Sequence, residues 1–109
     1  MEIETTIPGI IAKPLKRYAD PRGWLRRYRG RVPLVHVKDI APTGEKADED
    51  GWADVGTGVL PWPELWQECV AAGAEIMVAE HDNPSDFARF ARVSAESMRR
   101  FAAGARQWP

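Results

Sequence analysis

The sequence is poor in several things that whole functional classes depend on. A single cysteine, Cys69, among 109 residues excludes an internal disulfide and suits a reducing compartment. It falls within an apolar helical pattern and reads as a small buried hydrophobe. The charges nearly cancel, with 15 basic and 16 acidic side chains, so the chain as a whole offers no electrostatic footing for nucleic acid or an anionic membrane. No run of about 18 or more apolar residues is present and the N-terminus has no signal-peptide core. The expectation is therefore a cytoplasmic protein with neither a membrane nor a nucleic-acid partner. What remains is an ordinary globular balance, 44% hydrophobic and 28% charged, enough for one domain with a modest core.

The clearest element is Arg31 to Ile40, Arg-Val-Pro-Leu-Val-His-Val-Lys-Asp-Ile. Its valines predict a strand buried on both faces, as in parallel sheets. Alternation puts Leu34, His36 and Lys38 on one face and Val35 and Val37 on the other. A second strand of the same shape, Glu75 to Glu80, ends in Glu80-His81-Asp82. Chemistry-bearing residues thus gather at the carboxyl ends of two strands.

The rest of the chain alternates with these strands. Residues 1–6 read as a short strand, and Ile7 to Tyr18 as a proline-punctuated loop. Asp20-Pro21 starts a helix with Trp24, Leu25 and Tyr28 as its apolar stripe, stopped by Gly30. Arg22, Arg26, Arg27, Arg29 and Arg31 are read as its solvated face, several near the favourable end of the helix dipole. The connection from Asp39 to Leu60 is polar and mobile in its first half, Pro42 to Gly51. In its second half Gly56-Thr57-Gly58 marks a turn where backbone approaches something closely. It is no dinucleotide fingerprint, because no strand leads into it and the third glycine is missing. A long loop inside a small domain is often functional.

Trp62-Pro63 opens a helix with Leu65, Trp66, Cys69 and Val70 buried and Gly73 as its stop. Asn83-Pro84 opens the last helical region, with Phe87, Phe90, Val93, Met98 and Phe101 as core positions, a break near Val93-Ser94 and an end at Gly104. Trp108-Pro109 reads as a frayed tail. The order helix, strand, loop, helix, strand, helix predicts β-α units with parallel strands and ligands at their carboxyl ends.

Three segments together resemble the end of a sugar phosphate isomerase/epimerase, of the xylose-isomerase-like TIM barrels. They are the His-x-Lys-Asp strand, Asp-Val-Gly-Thr-Gly-Val-Leu-Pro-Trp, and Ile-Met-Val-Ala-Glu-His-Asp. The resemblance covers residues 19–103, with 1–18 an atypical leading segment and 104–109 a tail of one domain. It implies an α/β fold that is part of a (β/α)8 barrel, the last two to three β-α units, with the first residues standing for the sixth strand. It also implies a divalent metal, Mn²⁺, Mg²⁺, Co²⁺ or Zn²⁺, held in part by His36 and Glu80. Glu80 is then also the catalytic carboxylate that moves a substrate proton through an enediol-type intermediate. Lys38 is the substrate-binding residue, meeting an oxygen or phosphate of a small sugar or sugar phosphate. His81 and Asp82 are read as strand-end or cap residues. Glu4 stands near where the family's Asp ligand falls, but Pro8 to Pro14 departs from the pattern there, and no role is assigned to it.

A complete barrel of this kind takes about 250 residues. The resemblance therefore predicts an unpaired strand edge, an exposed inward sheet face, and a partner that covers them, either another copy of the chain or a complementing barrel fragment. The alternative reading is a non-catalytic oligomerising module with a partial sugar pocket, indifferent to metal and tolerant of His36→Ala. The endonuclease branch of the same superfamily needs a multi-metal centre, for which two histidines do not suffice.

Overall fold

The computed structural model describes residues 20–106, together with the backbone of two short N-terminal strands. The expectations for the rest of Ile7 to Tyr18 and for Trp108-Pro109 lie outside the described residues. Strands β1 (Glu2–Glu4) and β2 (Ile11–Ala12) are followed by helix α1 (Arg22–Arg27) and strand β3 (Leu34–Val37). A two-stranded ribbon, β4 (Asp39–Ile40) with β5 (Trp52–Ala53), precedes α2 (Trp62–Ala71), β6 (Ile76–Ala79) and α3 (Phe87–Arg106). The main sheet has the order β2-β1-β3-β6.

β3 and β6 are parallel, paired from Leu34 with Ile76 to Val37 with Ala79, as β-α alternation predicts. The chain between them crosses over through α2, which is what a parallel pair requires. β1, in contrast, runs antiparallel to β3. The described fold is thus a small mixed α/β domain with one parallel pair, and its first strand departs from the all-parallel order expected of a sixth barrel strand. Ile11–Ala12, expected as loop, forms the antiparallel neighbour of β1.

The core lies on one side of the sheet. Val35 and Val37 point from β3 into a cluster with Leu25 of α1, Leu65 and Cys69 of α2, and Phe101 of α3. Each such aliphatic side chain contributes about 1.5–3 kcal/mol on burial. The opposite face of β3 carries Leu34 and His36, both half-buried. The expectation that this strand is buried on both faces therefore holds for one face only, because all three helices pack on the valine side.

The helices are capped much as their sequences suggest, with shifts at their ends. Asp20 accepts the Arg22 amide at 3.0 Å, and Gly30 leaves α1 with φ +83°, a value that favours glycine. Trp24, expected in the core, is exposed and stacks on Tyr28 at 5.5 Å between ring centroids. Arg26 donates to Glu68 at 2.7 Å, tying α1 to α2. In α2, Leu65, Trp66 and Cys69 are buried as expected and Trp62 is buried as well, whereas Val70 is exposed. Burial pushes the Cys69 thiol up to about 12, so it stays protonated and inert. α3 begins at Phe87, three residues beyond Pro84, and runs unbroken past Ser94 and Gly104. Phe87 projects into solvent, while Phe90 and Phe101 are buried.

The loop after β3 is built rather than loose. Ile40 pairs with Trp52 across the ribbon, and a 3₁₀ turn at Ala47–Glu49 fills its bend. The reason lies in Asp39. Its buried carboxylate accepts the amides of Ile40 (2.9 Å), Gly56 (2.9 Å), Gly58 (3.0 Å) and Leu60 (3.2 Å). Gly56-Thr57-Gly58 therefore wraps an anionic anchor. A Cβ on Gly58 would overlap the Asp39 carboxylate and the Ile40 carbonyl, and one on Gly56 would overlap Ser97 of α3. Ser94, also small and buried, accepts the Val55 amide at 3.1 Å, so α3 receives this loop at short range.

Candidate functional site

His36, Lys38 and Glu80 come together at the carboxyl end of the β3–β6 pair. Alternation along β3 places His36 and Lys38 on one face, and Glu80 follows directly on β6. The Glu80 amide donates to the Val37 carbonyl at 2.9 Å, which carries the parallel ladder one residue further. His36 Nδ1 then lies 3.1 Å from Glu80 Oε2, and Lys38 Nζ lies 3.8 Å from Glu80 Oε1. The two carboxylate oxygens thus face different partners.

Lys38 is unusually enclosed for a lysine, at 3% exposure. Its ammonium donates to Asp82 Oδ2 at 2.9 Å and sits 4.6 Å from the centroid of the Trp52 ring. Such a cation over an indole face is favourable, more so when shielded from water. The Lys38 carbonyl accepts the Trp62 indole N–H at 2.7 Å, which pins the strand end to α2. Asp82 therefore does more than cap a strand, since its carboxylate neutralises Lys38. Two residues onward from Glu80 it shares that face, the one signal in the sequence that could have revealed it. Trp52 had no such signal, because its place depends on the ribbon.

A divalent cation with N and O ligands at roughly 2.1 Å has neighbouring ligands about 3 Å apart. The 3.1 Å between His36 Nδ1 and Glu80 Oε2 fits two adjacent positions of one such sphere. Lys38 holds the other oxygen of Glu80 and leaves Oε2 turned to His36. Imidazole binds a metal only through an unprotonated nitrogen, so cation and proton compete for this pair.

A second cluster, not anticipated as a unit, lies behind the strand end. Glu49, Asp54 and His81 each bring one ligand-type atom within 4.8 Å of the others. Arg89 already occupies both carboxylates: Nη2 donates to Glu49 Oε1 at 2.6 Å and Nε to Asp54 Oδ2 at 2.9 Å. The Ser85 amide also donates to Glu49, at 3.1 Å. The His81 imidazole is shielded from solvent, and its Nδ1 accepts the Asn83 amide at 3.0 Å. The proton of the neutral ring then sits on Nε2, 3.3 Å from Glu49 Oε1 but outside hydrogen-bonding geometry.

Burial holds His81 below its ordinary value, against the pull of Glu49 and Asp54. Burial alone would raise Glu49, but the Ser85 amide and the Arg89 guanidinium outweigh it and hold the carboxyl low. This cluster is a brace that ties the 41–60 loop to α3. His81 does act at the strand end, through Asn83, as its cap role implies, and it also reaches into the brace.

Compared with family models, curated proteins and solved structures, the chain matches none. Among the described residues no helix is long and apolar enough to cross a membrane.

Proposed function

We propose that this chain is the C-terminal part of a divalent-metal-dependent sugar or sugar-phosphate isomerase or epimerase, built as the closing β-α units of a (β/α)8 barrel. The observation that carries the reading is the His36 Nδ1–Glu80 Oε2 approach of 3.1 Å at the carboxyl end of parallel strands, where such folds bind ligands. His36 and Glu80 would hold the cation, Mn²⁺, Mg²⁺, Co²⁺ or Zn²⁺, with further ligands from outside the described residues. When bound, the cation polarises a sugar carbonyl or hydroxyl. Glu80 takes a proton from a carbon next to the carbonyl. In an isomerase the proton is returned at the adjacent carbon; in an epimerase a second acid, outside the described residues, returns one at the same carbon from the opposite face. Lys38, beside Glu80, donates to an oxygen of the substrate.

The test is solvent exchange. The chain is incubated with Mn²⁺ and a panel of sugars in D₂O, alone and with candidate complementing chains. Deuterium at a carbon next to a carbonyl, lost in Glu80→Gln, supports the reading. No exchange in any assembly removes it.

The non-catalytic reading rests on surface that the partial barrel also leaves uncovered. Among the described residues β6 is an edge strand of its sheet, and Ile76 and Val78, on the His36 face, are 54% and 40% exposed. An apolar edge of this kind is a site for association, with another copy or a complementing fragment. A module of that type forms a defined oligomer by light scattering, with or without Mn²⁺, and its mass is unchanged by His36→Ala.

A further inference from the structure

Among the described residues Lys38 is the one lysine or arginine within ion-pair reach of Glu80. Its ammonium is engaged on several sides: Asp82 Oδ2 at 2.9 Å, Glu80 Oε1 at 3.8 Å and the Trp52 ring at 4.6 Å. Among the described side chains, and before any cation binds, the charges around this ammonium do not favour an anion: Lys38 brings +1, while Glu80 and Asp82 together bring −2.

A phosphate monoester carries close to two further negative charges at neutral pH. It is held by cations whose charge is not already matched. A hydroxyl or carbonyl oxygen needs a single N–H and adds no charge. Asp82 is the adjustable member of the set. Its side chain is 47% exposed, so changing it opens no cavity.

We propose that Asp82, by neutralising Lys38, makes this strand end a site for an uncharged sugar or polyol and turns away the phosphorylated form. The inference rests on the sugar-site reading above and narrows its substrate class, with Asp82 as the specificity-determining residue.

The test follows the amide signals of Lys38 and Glu80 in the ¹⁵N-labelled full chain during titration with inorganic phosphate, without metal. The wild-type chain gives no saturable shift. Asp82→Asn, and likewise Asp82→Ser, gains saturable binding, about tenfold or more tighter than the weakest binding the titration detects. Adding Lys38→Met to either variant abolishes the gain. Equal phosphate binding at these amides in wild type and Asp82→Asn overturns the proposal, as does a variant that gains nothing. A parallel Mg²⁺ titration keeps the two readings apart. If Mg²⁺ leaves the His36 and Glu80 signals unmoved, the metal site is lost, while the metal-free phosphate result still decides the role of Asp82.

Discussion

Two clusters in this molecule are made of nearly the same parts. At the end of β3 and β6 stand His36, Lys38, Glu80 and Asp82. One residue away in sequence, His81 joins Glu49, Asp54 and Arg89. Each has one histidine, one strong cation and two carboxylates, yet the geometry separates them. In the brace the guanidinium lies across both carboxylates at 2.6 and 2.9 Å, and Glu49 is 3% exposed. The contact to Asp54 is planar and bidentate, and Glu49 Oε1 is taken by both Arg89 and the Ser85 amide, so one guanidinium fork holds the two carboxylates together. At the strand end the ammonium is a point donor drawn to Asp82, and Glu80 Oε2 is left to a part-buried imidazole. Nearly identical residue types thus give a closed structural tie in one place and, among the described residues, a more open corner in the other, and the choice of Arg or Lys is much of the difference.

The comparison can be broken most forcefully at the brace. Glu49→Ala leaves Arg89 and His81 without their shared partner and costs about 3 kcal/mol, the low end for a broken buried pair. Urea unfolding measures it, and a loss no larger than that of a surface substitution would make the brace ornamental. Gly58→Ala tests the loop that the brace holds. A methyl group pressed against the Asp39 carboxylate and the Ile40 carbonyl costs about 1–3 kcal/mol, as overpacking does elsewhere.

The brace also carries the pH dependence. His81 is held below its ordinary 6.5, so its contribution is complete above that pH and is lost as pH falls through the folded value. Glu49 is held below its ordinary 4.5, so its contribution is complete above that pH and is lost in a second, more acidic step. Unfolding free energies measured from pH 8 downward show both steps, and His81→Gln removes the first. Smallest of all is the effect of His36→Ala on stability. Outside the core, the variant loses the 3.1 Å contact with Glu80, at a cost of about 1 kcal/mol or less. A larger loss would make His36 part of the scaffold and not of an open corner.

Much of this architecture was legible in the residues. The order of helices and strands, the parallel pairing of the two strands, the buried Cys69 and the close approach at Gly56-Thr57-Gly58 all follow from local pattern. So does the meeting of His36, Lys38 and Glu80, since pleat parity and strand ends suffice to place them. What local pattern does not carry is what lies opposite. Trp24, Val70 and Phe87 sit on apolar stripes, but periodicity says nothing of whether a neighbour covers each position. The Pro42 to Gly51 segment reads as polar and loose because its order comes from distant partners, above all Arg89, about forty residues away. Asp82 and His81 read as cap residues because Lys38 and Glu49, which they approach, lie across the fold. The antiparallel course of β1 has no local signature either.

The most direct measurement is Mn²⁺ binding followed by electron paramagnetic resonance in the full chain, beside His36→Ala, Glu80→Gln and His81→Gln. The account predicts one site that disappears in the first two variants and persists in His81→Gln. Binding that survives loss of His36, or that vanishes with His81, would reverse the roles assigned to the open corner and the brace.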